Sequence, residues 1–373
     1  MRPGVRGLSL FAVEDTAVQL VWRDPPTAGA VVAAGDASAT VAGPGPVAFV
    51  LDGLAPDTPV AVRVDGRPVG SVRTLAPPPG PLLCRFATVS DLHVGERAFG
   101  VLPRFRERAE VPNASSYAAR GGRAALAEAA AWGAERIVAK GDLTWSGRRH
   151  HWEDAGAVLA SSPVPVHATL GNHDVVPRAV DGREVLGRHG IAVARDGPEV
   201  VDLRGVRVVI GHSADAHHRF GVVDGAQRAA LVGAAAASPS GAAFVTLHHY
   251  VDPLPFVSRY PKGIERASGQ RLLRELAAAQ PRTFLSFGHT HRHRRKVHHG
   301  MPATEVGSTK EFPGVWAGYA VHEGGIRQVV RRIAEPACLA WTERTAASVL
   351  GLWGPWAAGR LAWRCFSWTW PPR

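Results

Sequence analysis

Between Pro81 and about residue 333 the chain alternates short apolar runs with alanine-rich stretches, and this alternation restricts the fold more than any other feature. The runs LCRFATVS (83–90), RIVAK (136–140), VHATL (166–170), RVVI (207–210), AAFVTL (242–247) and RTFLSF (282–287) read as strands. Helices are expected near 122–132, 149–160, 225–236 and 268–279, the last opened by Ser268 as N-cap. Strands and helices in such succession imply an α/β layer architecture with sheets covered by helices.

Five of the strands end directly in polar ligand groups: SDLH at 90–93, KGDLT at 140–144, GNHD at 171–174, LHHY at 247–250 and GHTH at 288–291. In open α/β sheets the loops at the carboxyl ends of strands meet at one crevice. Asp91, His93, Asp142, Asn172, His248, His289 and His291 are thereby expected to converge, and oxygen plus imidazole donors are the inventory of a two-metal site. The spacing supports it. Asp91 and His93 share one side of an extended segment, as do His289 and His291, because side chains alternate with period two. Gly141, Gly171 and Gly288 precede ligand positions, where a missing Cβ allows a sharp turn.

The ordered set DLH, GD, GNHD, H, GHTH resembles the calcineurin-like metallophosphoesterase superfamily over about residues 84–332. The resemblance implies a four-layer αββα sandwich with a dinuclear centre. In that pattern Asp91, His93 and His291 bind one ion, Asp142 bridges, and Asn172, His248 and His289 bind the second. His173 stands outside the metals near the scissile bond. The ions would be two divalent or mixed-valence metals, manganese, iron or zinc. The reaction would be hydrolysis of a phosphodiester, or of a phosphomonoester, by a hydroxide held between them, with Asn172 and His173 stabilising phosphoryl charge. A catalytically silent scaffold or binding protein on the same fold is the other reading. The central motifs are similar to a bacterial cyclic-nucleotide phosphodiesterase branch. Trp145 stands three residues after Asp142, where purple acid phosphatases carry a tyrosine and serine/threonine phosphatases an aspartate. Ferric-tyrosinate chemistry is therefore not expected, and the group that orients His173 is not identified by sequence.

Residues 1–76 read as a small all-β sandwich. VQLVWR sets Val18, Leu20 and Trp22 on one side, VAVRV (60–64) repeats the alternation, and turn residues such as DPP and DGRP separate the runs. The segment LDGLAPDTPVAVRVDGRPVGSVRTL resembles the later strands of a fibronectin type III-like domain, as found ahead of purple acid phosphatase catalytic domains. APPPG (76–80) provides a stiff connection, so a linker at 77–81 precedes a catalytic domain at 82–333. The remainder, 334–373, carries six of the eleven tryptophans: Trp341, Trp353, Trp356, Trp363, Trp368 and Trp370. Such density needs a burial partner or an interface. A tail packed over a domain is the plain reading, and contact with a membrane surface or a partner protein is the other.

The formal net charge of +11 favours anionic partners, but the excess is arginine scattered along the chain, so a nucleic-acid partner is not required. Cys84, Cys338 and Cys365 show no metal spacing, and an odd count argues against a disulfide framework. The opening MRPGVRGLSLFAVEDT lacks an uninterrupted apolar stretch, and no run is long enough to span a membrane, so a cytoplasmic location is expected. Most of the 17 histidines need no function. Of the pair at 248–249, His248 is favoured, with His249 pointing the other way. Arg292, Arg294, Arg295 and Lys296 read as a solvated hairpin edge or as a phosphate contact, Cys84 as a core residue, and Asp174 as a partner of the ligand loops. Specificity is assigned to loops at 94–120 and 251–266.

Overall fold

The computed structural model describes residues 5–102, 104–108, 110–177, 179–195, 197–251 and 261–372. Most of the loop expected to carry specificity at 251–266, namely 252–260, lies outside the described residues.

The first seventy-odd residues form two antiparallel sheets. One contains Leu8–Val13, Val18–Trp22 and Val47–Leu51; the other contains Ala37–Val41, Ala30–Ala34, Pro59–Val64 and Arg67–Arg73. Along Pro59–Val64 the alternation holds, with Val60, Val62 and Val64 buried and their neighbours exposed. Along Val18–Trp22 it does not: all five residues are buried. The second face of that strand is covered by the strand Gly325–Arg332, where Gln19 Nε2 donates to the Arg332 carbonyl at 2.9 Å and the Arg332 amide donates back to Gln19 Oε1 at 2.7 Å.

A seven-stranded sheet follows, ordered Ala192–Val193, Val166–Thr169, Ile137–Lys140, Leu82–Val89, Val315–His322, Gly325–Arg332 and Phe366–Thr369. Its first four strands are mutually parallel and the rest antiparallel. The second sheet has six strands, in which Val206–Ile210, Ala243–Leu247, Thr283–Phe287 and Met301–Glu305 run parallel between antiparallel edges. The sheets face each other across Phe86, Phe244, Phe284 and Tyr319. Phe86 stacks on Tyr319 at 5.0 Å and meets Phe244 edge-on at 4.9 Å.

A second apolar layer, with Leu126, Trp152 and Leu186, joins the seven-stranded sheet to the helices Tyr117–Ala131, Arg149–Ala160 and Gly182–Arg188. A third, with Leu231, Leu272 and Leu276, joins the six-stranded sheet to Gly225–Ala236 and Arg266–Ala279. Helix, sheet, sheet and helix thus stack as the αββα sandwich expected. The last helix is not capped by Ser268. The Glu265 carboxylate accepts the Ala267 and Ser268 amides at 2.9 Å, while Ser268 Oγ donates to the Val223 carbonyl. A carboxylate with two oxygens satisfies two orphan amides where a hydroxyl satisfies one.

Glu14 fastens the β-sandwich to the larger sheet. Its buried carboxylate accepts from Trp132 Nε1 at 3.1 Å and from Arg331 Nε at 2.8 Å, and pairs with Arg327 at 3.3 Å. Removing one partner of a buried ion pair strands the others. Glu14→Ala is expected to lower stability by about 3 kcal/mol in denaturant unfolding, and Glu14→Gln by less.

Candidate metal centre

The five ligand blocks lie at the carboxyl ends of the strands Leu82–Val89, Ile137–Lys140, Val166–Thr169, Ala243–Leu247 and Thr283–Phe287. Backbone bonds knit these ends together: the Asp91 amide donates to the Gly141 carbonyl at 3.1 Å, His93 to Asp142 at 2.8 Å and Gly288 to His248 at 3.0 Å. The Asp91 carboxylate accepts the His289 amide at 3.0 and 3.1 Å, joining one sheet to the other.

The ligands do not sit on extended segments. Asp91, His93, Asp142, His289 and His291 all have left-handed backbones, with φ of 54°, 49°, 49°, 68° and 53°. Side chains rarely tolerate this region, and such outliers concentrate at functional sites. The curl of each turn, rather than strand alternation, brings both members of DLH and of HTH into the cleft. Only Gly141 of the three glycines needs a positive φ, of 87°. Gly171 and Gly288 are set by close approach: a Cβ would lie 2.2 Å from Asp142 Oδ1 and 2.0 Å from Ser90 Oγ, respectively.

Two donor clusters result. Donor atoms of Asp91, His93, Asp142 and His291 all lie within 4.8 Å of one another, as do those of His248, His249 and His289. Asp142 links them, its Oδ2 lying 3.5 Å from His93 Nε2 and 3.3 Å from His248 Nε2. Asn172 lines the same cleft. His249 was expected to point away, but both histidines lie beyond the strand end, and their rings stand 4.8 Å apart in the same crevice. Ser213 Oγ holds His249 Nδ1 at 3.0 Å.

Among the described residues, Asn172 Oδ1, His248 Nε2 and His249 Nε2 are buried polar atoms without hydrogen-bond partners. Orphaned acceptors of this kind suit a cation, and carboxylate with imidazole suits manganese, iron or zinc. Protonation agrees with that fit at Asp91, Asp142, His93, His249 and His289, whereas at His248 and His291 the neighbouring carboxylates favour the protonated ring, which must lose its proton to hold a cation. Burial opposes charge on Asp91 and Asp142, yet His291 beside the first and His248 with His173 beside the second outweigh it and hold both carboxyls below their ordinary range. Burial pushes His93 and His249 well below the imidazole range and His289 down to about 3. At His248 burial is overcome by Asp142, which lifts the ring to about 9, and at His291 by Glu311 and Asp91.

Around the donors, His173 and Asp174 take the places the sequence suggested, while the Trp145 carbonyl, Lys140, Lys310 and Glu311 carry no sequence signal of the kind used above. His173 donates from its main chain to Asp142 Oδ1 at 2.8 Å. Its ring stacks on Trp145 at 4.8 Å, with Nδ1 3.0 Å from the Trp145 carbonyl. That carbonyl is the orienting group the sequence left unidentified. Asp174 accepts from the amides of Leu143, Thr144 and Gly171 at 2.8–3.1 Å, tying two ligand loops together; burial, with the Asp142 charge, lifts its carboxyl to about 6. Lys140 Nζ donates to Ser286 Oγ at 2.9 Å and the Phe287 carbonyl at 3.0 Å beneath the site, and burial lowers its ammonium to about 7. A further strand end, beyond Met301–Glu305, supplies Glu311 to His291 Nδ1 and Lys310, which pairs with Glu311 at 3.3 Å and with Glu96. Arg292, read from sequence as part of a solvated hairpin edge or as a phosphate contact, is buried beside Glu305.

A family model described as calcineurin-like phosphoesterase matches residues 84–293, more than half of the chain. The chain belongs to the calcineurin-like phosphoesterase family. No curated protein sequence matches it. Among solved structures, purple acid phosphatase PPD1 from yellow lupin seeds is similar at 11% identity and TM-score 0.46, covering 88% of this chain and 72% of that one. Phosphopantetheinyl hydrolase from Mycobacterium tuberculosis is similar at 13% identity and TM-score 0.39, covering 61% and 90%. GAP50, the anchor in the inner membrane complex of Plasmodium, is similar at 11% identity and TM-score 0.45, covering 69% and 86%. No helix among the described residues is long and apolar enough to cross a membrane.

Glu311 fixes the tautomer and direction of His291. Carboxylate partners of this kind strengthen metal affinity by roughly 10–100-fold. Glu311→Gln should weaken metal binding by about that factor in chelator competition, while the metal-free protein keeps its secondary structure by circular dichroism.

Proposed function

We propose that the chain is a metal-dependent phosphoesterase that hydrolyses phosphodiesters in preference to phosphomonoesters. One observation carries the reading: carboxylates and imidazoles from four strand ends form two clusters, the donor atoms of each within 4.8 Å, with Asp142 beside both and Asn172 from a fifth strand end lining the adjoining cleft. In this reading Asp91, His93 and His291 hold one cation, Asn172, His248 and His289 hold a second, and Asp142 serves both. Metal ions so held supply charge to the phosphoryl oxygens and lower the pKa of a water.

The chain's own groups do the rest. Because a carbonyl only accepts, His173 Nδ1 carries the hydrogen bonded to Trp145, and Nε2 is the atom left for the substrate. Protonated there, His173 donates to the departing alkoxide. Arg219 and Lys262 line the same cleft and attract a phosphate anion. The aromatic walls beside them suit a phosphorus that bears a second organic group, which favours the diester. The same proposal treats 1–76 as a fibronectin type III-like unit, 77–81 as its linker, 82–333 as the catalytic unit and 334–373 as an extension.

Manganese-loaded protein should hydrolyse bis(4-nitrophenyl) phosphate faster than 4-nitrophenyl phosphate, and chelation should remove the activity. Asp142→Asn is expected to abolish turnover. His173→Ala should retain metal and lose about 10²–10⁴-fold in rate on alkyl leaving groups, and much less on 4-nitrophenolate. Protein that binds no metal and turns over neither ester would instead be the silent scaffold.

A further inference from the structure

The ligand blocks end at His291, yet the cleft they form is completed by residues far downstream. Trp353 and Trp356 line it with Phe99, Phe220, Arg219 and Lys262 around a space of about 470 Å³. The rings are connected: Phe99 meets Trp353 edge-on at 5.1 Å, and Trp353 lies 5.0 Å from Trp356. Protein holds the indole N–H of Trp353 and covers the Trp356 ring. Trp353 Nε1 donates to the Phe312 carbonyl at 2.9 Å, and the Arg292 guanidinium covers Trp356 at 4.2 Å.

The approach to these rings is strained. Val349, Leu350 and Gly351 are three successive left-handed residues, with φ of 53°, 55° and 86°. A β-branched side chain is a rare occupant of that region, and it persists only where contacts enforce it. Here the Leu350 amide donates to the Leu102 carbonyl at 2.9 Å, and the Ala357 carbonyl accepts from the His293 amide at 3.0 Å. The turn therefore sets Trp353 and Trp356 against the metal-ligand loops themselves.

Among the described residues the apolar lining is also of one kind. No leucine, isoleucine, valine or methionine among the described residues lines the cleft, and its apolar side chains are aromatic apart from Pro261. Flat rings stack on flat ligands, whereas a flexible alkyl chain is better matched by aliphatic walls. Lys262, with Nζ 4.2 Å over the Phe220 ring, and the exposed Arg219 add positive charge for the anionic end.

We propose that Trp353 and Trp356 form a recognition wall that stacks against a planar aromatic group carried by the phosphate ester. The inference deepens the phosphoesterase reading and rests on it.

The test uses metal-loaded, full-length protein and calorimetric titration with three phosphonates, whose C–P bond is not hydrolysed: methylphosphonate, hexylphosphonate and 2-naphthylphosphonate. The naphthyl compound should bind about tenfold more tightly than either of the others. In Trp353→Ala/Trp356→Ala that advantage should fall to within about twofold while methylphosphonate affinity is kept, which also reports an intact metal site. Should the double variant not fold, Trp353→Leu and Trp356→Leu singly serve the same comparison. Equal binding of naphthyl and methyl compounds would overturn the wall and leave the phosphoesterase reading standing. Hexylphosphonate binding as tightly as the naphthyl compound would overturn the preference for planar groups. Failure of all three to bind, with no ester turned over, would overturn the phosphoesterase reading and the wall with it.

Discussion

Two carboxylates buried side by side, Asp91 and Asp142, set the terms for the rest of the molecule. Negative charges removed from water require compensation close at hand. The compensation comes from imidazoles on four different loops, from backbone amides such as those of His289 and His173, and from Lys140 below. Bringing those groups together needs two parallel sets of strands ending at one crevice, and it needs turns that curl more tightly than ordinary side chains allow. The left-handed residues at five ligand positions are the local expression of that demand.

Much of this was legible in the sequence because it is carried by side-chain identity at fixed positions. The six apolar runs became strands, three of the four helices appeared within two residues of their expected ends and the first began five residues early, and donors of four polar blocks gathered in two clusters beside the cleft that Asn172 lines. What stayed hidden is carried by groups without such identity. The Trp145 carbonyl that orients His173 is a main-chain atom, which any residue would provide. Glu311 lies in GSTKEFPG, a stretch with no ligand motif, and reaches His291 only because its strand stands beside Thr283–Phe287 in the sheet. His249 joined the crevice because the chain leaves strand geometry at Leu247, so the period-two rule no longer applied to it.

The same distinction explains the two terminal regions. Alternation predicted one buried face for Val18–Trp22, but the opposite face meets the strand Gly325–Arg332, and Glu14 with Gln19 supplies the polar contacts there. Similarly, the basic run after GHTH reads as a solvated edge until the carboxyl-terminal segment is laid over it. Arg292 then lies against Trp356, and Arg295 lies 3.7 Å over Phe366. In each case a local pattern was read correctly as chemistry and incorrectly as exposure, because the covering element is distant in sequence, some sixty to seventy residues away for the basic run and about three hundred for Val18–Trp22.

The strand Phe366–Thr369 closes the larger sheet at its edge against Gly325–Arg332. During synthesis the chain leaves the ribosome amino end first, and domains begin to fold as they emerge. Every donor of the crevice is made before this strand and before Trp353 and Trp356, which line the cleft. The nascent protein thus passes through a stage in which its crevice donors are all outside the tunnel while the indole side of the cleft and the edge of the larger sheet have yet to be delivered.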